Sequence, residues 1–159
     1  MKMQLRVKIA AALAAVSLCL GLAACGGAAA DVDVNKAADA VRAGTSFTDE
    51  LIKTETANAE SLYQVDAGLV EDACVYIGTG ATPEEIAVWK AKDEQGAAKI
   101  KEAADGRVET QKQRFTDYNP EQMPKLEKAV VQQSGKTVVL CISADPDKAK
   151  TAVEQALKG

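Results

Sequence analysis

Residues 71–91 read EDACVYIGTGATPEEIAVWKA, and this stretch decides the fold. From Glu71 to Gly78 the side chains alternate, with Ala73, Val75 and Ile77 on one side and Asp72, Cys74 and Tyr76 on the other. Glu85–Ala91 alternates again, Ile86 and Val88 against Ala87 and Trp89. A period of two is the mark of a β-strand. Gly78-Thr79-Gly80 and Pro83 lie between the two runs, so the strands form a hairpin with a longish loop.

Working outward, Asp93–Tyr118 places Ala97, Ile100, Ala104, Val108, Gln111 and Phe115 on one helical stripe and stops at Asn119-Pro120, which predicts a long central helix. Glu127–Gln132 and Thr137–Ser143 flank Gln133-Ser134-Gly135-Lys136 as a second hairpin, with Val138, Leu140 and Ile142 inward. Asp145-Pro146 supplies an N-cap and an N1 proline for a closing helix whose stripe is Ala149, Ala152, Val153, Ala156 and Leu157. Upstream, Val34–Ala43 reads as a short Ala-rich helix, and Ser46–Asp66 carries apolar residues without a sustained period, as a mixture of loop and helix. The expected fold is α+β: a four-stranded antiparallel sheet in ββαββα order with helices on one face, preceded by an N-terminal helical segment. No repeat or linker divides residues 34–159, which read as a single domain.

The first 24 residues read as a secretory signal. Lys2, Arg6 and Lys8 form a basic start without an acid, and a 13-residue, mostly apolar run follows from Ile9 to Gly21, the n-region and h-region of such a signal. Leu22-Ala23-Ala24-Cys25 then resembles a bacterial lipobox, in which small residues admit a signal peptidase and the thiol takes a diacylglyceryl group. Cys25 is thus the expected lipidation site and mature N-terminus, with residues 25–33 as a lipid-anchored tether. A membrane-spanning anchor is the competing reading, since 22 consecutive uncharged residues run from Ile9 to Ala30. Gly21, Gly26 and Gly27 break the end of that run and much of the rest is Ala, which makes a weak spanning helix. Two or three acyl chains hold a protein stably where one holds marginally. The expected location is the extracytoplasmic face of the cell membrane.

Composition excludes several classes. The 159 residues contain no histidine, which removes Ser-His-Asp and Cys-His catalysis and every His-liganded metal site. Without residues 1–24 the chain has 16 Lys+Arg against 23 Asp+Glu, a net −7, the wrong sign for nucleic acid. The charge is uneven: residues 31–85 hold 12 acids and 3 bases, residues 86–159 hold 11 acids and 13 bases. A solvated surface is the plain reading of that asymmetry, and a partner-steering face the sharper one.

VYIGTGATPEEIAVWKAKD followed by QRFTDYNPEQMPKLEKAVVQQSGKTVVLCISADPDKA resembles the bacterial lipoprotein family carrying domain of unknown function 4358. The resemblance spans roughly residues 36–155, and Glu85–Ala91 with Tyr118-Asn119-Pro120 match most specifically. Trp89 stands where an aromatic, often Phe, is usual. The resemblance implies a Gram-positive extracytoplasmic lipoprotein and carries no activity, substrate or catalytic residue.

The remaining constellations are mostly turns and caps. Ser134-Gly135-Lys136-Thr137 lacks the upstream glycine of a phosphate loop and precedes a strand, so it reads as a hairpin turn. Gly78-Thr79-Gly80 lacks the third glycine of a dinucleotide loop. Asp31-Val32-Asp33-Val34-Asn35 begins like a calcium loop, but Lys36 and Arg42 occupy its required glycine and glutamate. No serine begins an S-x-x-K. No metal or cofactor is expected. Asp49/Glu50, Glu71/Asp72 and Glu84/Glu85 do not make catalytic dyads by adjacency, because neighbours on a strand point to opposite faces; they read most simply as surface acids, with a glycosidase-like pair built by tertiary contacts as the alternative.

Cys74 and Cys141 are the thiols left after lipidation and signal removal. On the expected strands both face away from Val75 and Leu140, so a disulfide between them is sterically open, with two free buried thiols as the alternative and a redox-active pair as a third. Tyr76, Trp89 and Val139 are expected on that same face, as core under the N-terminal helix or as a groove for a partner. The function expected is a non-enzymatic binding or protein-interaction module for an envelope protein or small ligand. The rivals are a carboxylate-dependent extracytoplasmic enzyme, with Lys or Tyr assistance, and a thiol-redox lipoprotein.

Overall fold

The computed structural model describes residues 30–159; the signal segment, Cys25 and the start of the tether lie outside the described residues. The architecture is α+β. Helix α1 (Val34–Gly44) is followed by strand β1 (Ile52–Thr54), helix α2 (Thr56–Tyr63) and strands β2 (Val70–Ile77) and β3 (Glu85–Ala91). Helices α3 (Glu94–Tyr118) and α4 (Met123–Glu127), strands β4 (Val130–Ser134) and β5 (Thr137–Ile142), and helix α5 (Pro146–Ala156) complete it. All strands are antiparallel, in the order β1-β2-β3-β5-β4. The first hairpin and the helix after each hairpin stand as the periodicity predicts; in the second, Glu127 closes α4 and the strand expected over Glu127–Gln132 runs instead over Val130–Ser134, and β1 is a fifth strand from the segment that showed no period.

Helices cover both faces of the sheet, not one. Helices α2, α3 and α4 pack with Val75, Ala87, Trp89, Val138, Leu140 and Ile142. Helices α1 and α5 pack on the other face with Cys74, Ile86, Val88, Val139 and Cys141. The reason lies in the central strands: β5 is buried at every position and β3 at all but Lys90. A strand buried on both sides must be apolar on both sides, as Ile86-Ala87-Val88-Trp89 and Val138-Val139-Leu140-Cys141-Ile142 are.

Local chemistry fixes the helix ends. Asp33 caps α1 by accepting from the Asn35 and Lys36 amides at 2.9 and 3.0 Å. Asp93 caps α3 through the Gly96 amide at 2.6 Å, and Asp145 caps α5 through Lys148 N at 3.1 Å with Pro146 in the first turn. These satisfy amides that no helical carbonyl reaches. Asp31 and Asp33, both exposed and within the expected tether, are a Lys90 partner at 2.7 Å and a helix cap. Val32 between them is 4% exposed and belongs to the core under α1 and α5, so the tether is already docked before residue 33. Gly135, with φ +53, and Lys136 make the tight turn of the second hairpin.

The register corrects the grouping of aromatic residues. Trp89 pairs with Ala73 and Val138, so it faces α2 and α3, opposite to Tyr76 and Val139. One residue of register exchanges the faces of a strand. Trp89 and Val139 are fully buried, and Tyr76 and Val139 lie on the face covered by α1 and α5.

Candidate functional site

At the end of the sheet where β2 stops and β3 begins, three segments meet: residues 45–50, the hairpin loop 78–84, and the turn from α3 into α4. Glu84 and Glu85, expected at the surface, are 1% and 0% exposed. Both are charged side chains withdrawn from water, which requires close partners.

Glu84 faces the segment after α1. Its Oε2 accepts from the Thr48 and Asp49 amides at 2.7 and 2.8 Å, while Oε1 accepts from the Thr48 hydroxyl at 2.9 Å and from Lys125 Nζ at 2.8 Å. Lys125 also donates to Thr48 Oγ1 at 3.0 Å. Four donors fill the acceptor sites of a carboxylate.

Glu85 points to the other face of the sheet. Arg107 of α3 holds its Oε2 through Nη2 at 2.9 Å and Nε at 3.3 Å, and the Tyr63 hydroxyl donates to Oε1. Burial, with the Glu85 charge behind it, raises the Tyr63 phenol well above its ordinary value, so it stays a donor. The Tyr63 ring stands edge-on to Trp89 at 5.2 Å and lies under the Arg107 guanidinium at 5.7 Å.

Asp49 closes the loop over this pair. It accepts from the Thr79 amide at 3.0 Å, from the Thr79 hydroxyl at 2.9 Å and from Thr82 Oγ1 at 3.0 Å. Desolvation raises its pKa, but the Thr79 and Thr82 hydrogen bonds outweigh that and leave it lowered. Gly78 is required here, since a Cβ would come within 2.8 Å of Asp49 Oδ2.

Above this interior the surface is open. Tyr118, at the end of α3, is 64% exposed, packs edge-on against Phe115 at 5.9 Å and lies under Arg114 at the same 5.9 Å. Arg114 reaches across to the hairpin loop beside Gly80. This end therefore combines a buried ionic interior with an exposed aromatic–guanidinium pair, the residue types that anchor protein interfaces. Glu84 has four donors and Glu85 three, and among the described residues no group of three His, Cys, Asp or Glu is placed to hold a metal ion.

The other residues singled out in the sequence do not assemble with this end. Cys74 and Cys141 lie on β2 and β5 with β3 between them, so two strand spacings, about 9–10 Å, separate them. Their register partners on β3 are Val88 and Ile86, which adds a two-residue stagger. A disulfide needs Cα atoms within about 7 Å; in this strand order both thiols are free and buried, which is the second of the arrangements left open by the sequence. Burial raises Cys74 and pushes Cys141 up to about 12. Cys25 lies outside the described residues.

A family model described as domain of unknown function (DUF4358) matches residues 44–143, a narrower span than the sequence resemblance and well over half of the chain. It includes β1 through β5 and the whole polar end, and leaves out most of α1 and all of α5. No curated protein and no solved structure matches the chain.

Proposed function

The chain belongs to the domain of unknown function 4358 family, and from that premise we propose that it is a lipid-anchored extracytoplasmic protein acting as a non-enzymatic interaction module. In this reading residues 1–24 are removed as a signal, Cys25 carries the lipid, and the Tyr118–Arg114 end receives an envelope protein partner. The observation that carries the interaction reading is the composition of that end: its two carboxylates are buried and paired with cations, and the large aromatic outside them is exposed beside a guanidinium. A general acid or base must come within hydrogen-bond reach of its substrate, and these two are 1% and 0% exposed behind their donors.

Two experiments test the reading. Cys25→Ala is expected to leave the chain without acyl mass and free of the membrane; retention of the variant in the membrane would favour an uncleaved spanning anchor. A photo-crosslinking residue at position 118 of the membrane-bound chain is expected to trap a discrete protein partner, and the same residue at exposed Lys99 is not. Trapping at 99 with none at 118 would move the interface elsewhere on the molecule.

A further inference from the structure

The described part of the chain begins at one end of the sheet and the polar site lies at the other. Asp31 is held by Lys90 Nζ at 2.7 Å, and Val32 is buried in the core. The polypeptide is therefore fixed to the domain from Asp31 onward. Lys90 sits near the close of β3, where Val70 of β2 pairs with Ala91 and Lys90 pairs with Thr137 of β5. Ala30 also approaches the carboxyl-terminal Gly159 at this end.

Glu85, Ile77 and Ile142 mark the opposite end of the same strands. Helix α3 runs from one end to the other. It starts at Glu94, just after β3, and finishes at Tyr118, with Arg114 beside the hairpin loop at Gly80. Its 25 residues make it about 37 Å long.

We infer that the domain stands on the bilayer by its Lys90–Lys136 end, with the strands leading away from the lipid and the Tyr118–Lys125 end facing outward. The inference rests on lipidation of Cys25. Five residues lie between Cys25 and the pinned Asp31, so six Cα–Cα steps span at most about 22 Å. That is less than the length of α3, so the end holding Asp31 stays nearest the anchor. Charge does not set this contact. Lys36, Lys90 and Lys136 at the anchored end stand among Asp31, Asp33, Glu71 and Glu94, which offers anionic headgroups no net attraction. The lipid surface is held through the acyl chains, and the aromatic end remains free for a protein.

Energy transfer to the membrane surface tests the orientation. The lipidated full-length chain would be placed in phosphatidylethanolamine–phosphatidylglycerol vesicles containing a headgroup-linked acceptor. Donors would be attached at Lys136→Cys or Tyr118→Cys; Cys74 and Cys141 are buried. Emission at 136 is expected to fall further than at 118. Glu94→Cys and Glu121→Cys repeat the comparison, with the greater loss at 94. Equal or reversed losses in both pairs, with the acyl mass present and the chain floating with the vesicles, would overturn the orientation and leave the anchor intact. A chain lacking acyl mass that fails to float would remove the anchor itself, and the orientation with it.

Discussion

Arg107→Met would leave the Glu85 carboxylate in the protein interior with the Tyr63 hydroxyl as its remaining side-chain donor. An unpaired charge buried in this way destabilises by about 3–5 kcal/mol, whereas replacing both members by apolar residues of similar volume recovers much of the loss. Urea unfolding of Arg107→Met should show that loss and the Arg107→Met/Glu85→Leu double variant a smaller one; a single-variant loss below about 1 kcal/mol would place the pair in water. Trp89 is the single tryptophan and is 0% exposed, so its emission should be blue-shifted and resistant to soluble quenchers. Cys141 gives a pH dependence. Burial raises its thiol first, the Glu84 charge adds to this, and a hydrogen bond with Ser143 offsets part. The native state therefore holds that proton more tightly than the unfolded chain. The stabilisation is complete below the ordinary thiol value near 9 and is lost as pH climbs to about 12. Cys141→Ala should lower stability at pH 8 but flatten the decline between pH 9 and 11; an unchanged slope would show that the thiol is not the titrating group.

Glycine separates what helix α3 needs from what the packing of α1 needs. Gly106 lies within α3 and a Cβ there meets nothing within 4 Å, so Gly106→Ala should stabilise by about 0.5–1 kcal/mol. Gly44 closes α1 against α5, where a Cβ would fall 2.6 Å from that of Ala152. Gly44→Ala should lower the melting temperature while Gly106→Ala raises it, and thermal melts of the pair give the comparison. At this scale the sequence was legible wherever a pattern persisted for two turns or four alternations. The stripe of α3, the Asp93 and Asp145 caps and the two hairpins are of that kind. The layer arrangement is also written there, in the unbroken apolar runs 86–89 and 138–142, whose two apolar sides call for helices on both faces of the sheet. β1 and α2 are different. Three residues of edge strand and eight of a helix without a side-chain cap carry too little period to be seen, and long-range pairing decides their state. The polar end was hidden for the same reason. Nothing near Glu84 and Glu85 announces burial, because their donors come from 36 residues upstream at Thr48, 41 downstream at Lys125 and 22 away at both Tyr63 and Arg107.

Across the whole molecule, the charge asymmetry of the sequence resolves into internal complementarity. Four of the seven ion pairs among the described residues join the acidic 31–85 segment to the 86–159 segment: Asp31 and Glu71 to Lys90, Glu84 to Lys125, and Glu85 to Arg107. The other three lie within helices or their caps, three or four residues apart. Two of the four crossing pairs have fully buried carboxylates, so counterions reach them poorly, and they tie the hairpin β2–β3 to α3 and α4 at one end of the sheet. Covalent stapling is absent from this plan, because the antiparallel order sets β3 between the strands bearing Cys74 and Cys141. Lateral exchange of neighbouring strands would be needed to bring the sulfurs together, at the cost of both central hairpin registers. Purified oxidised and reductant-treated protein should therefore give the same intact mass and the same melting temperature, and both thiols should resist a soluble disulfide reagent until urea unfolds the chain. A mass increase of about two daltons on reduction would require a different strand order from the one that also buries Trp89 and Val139.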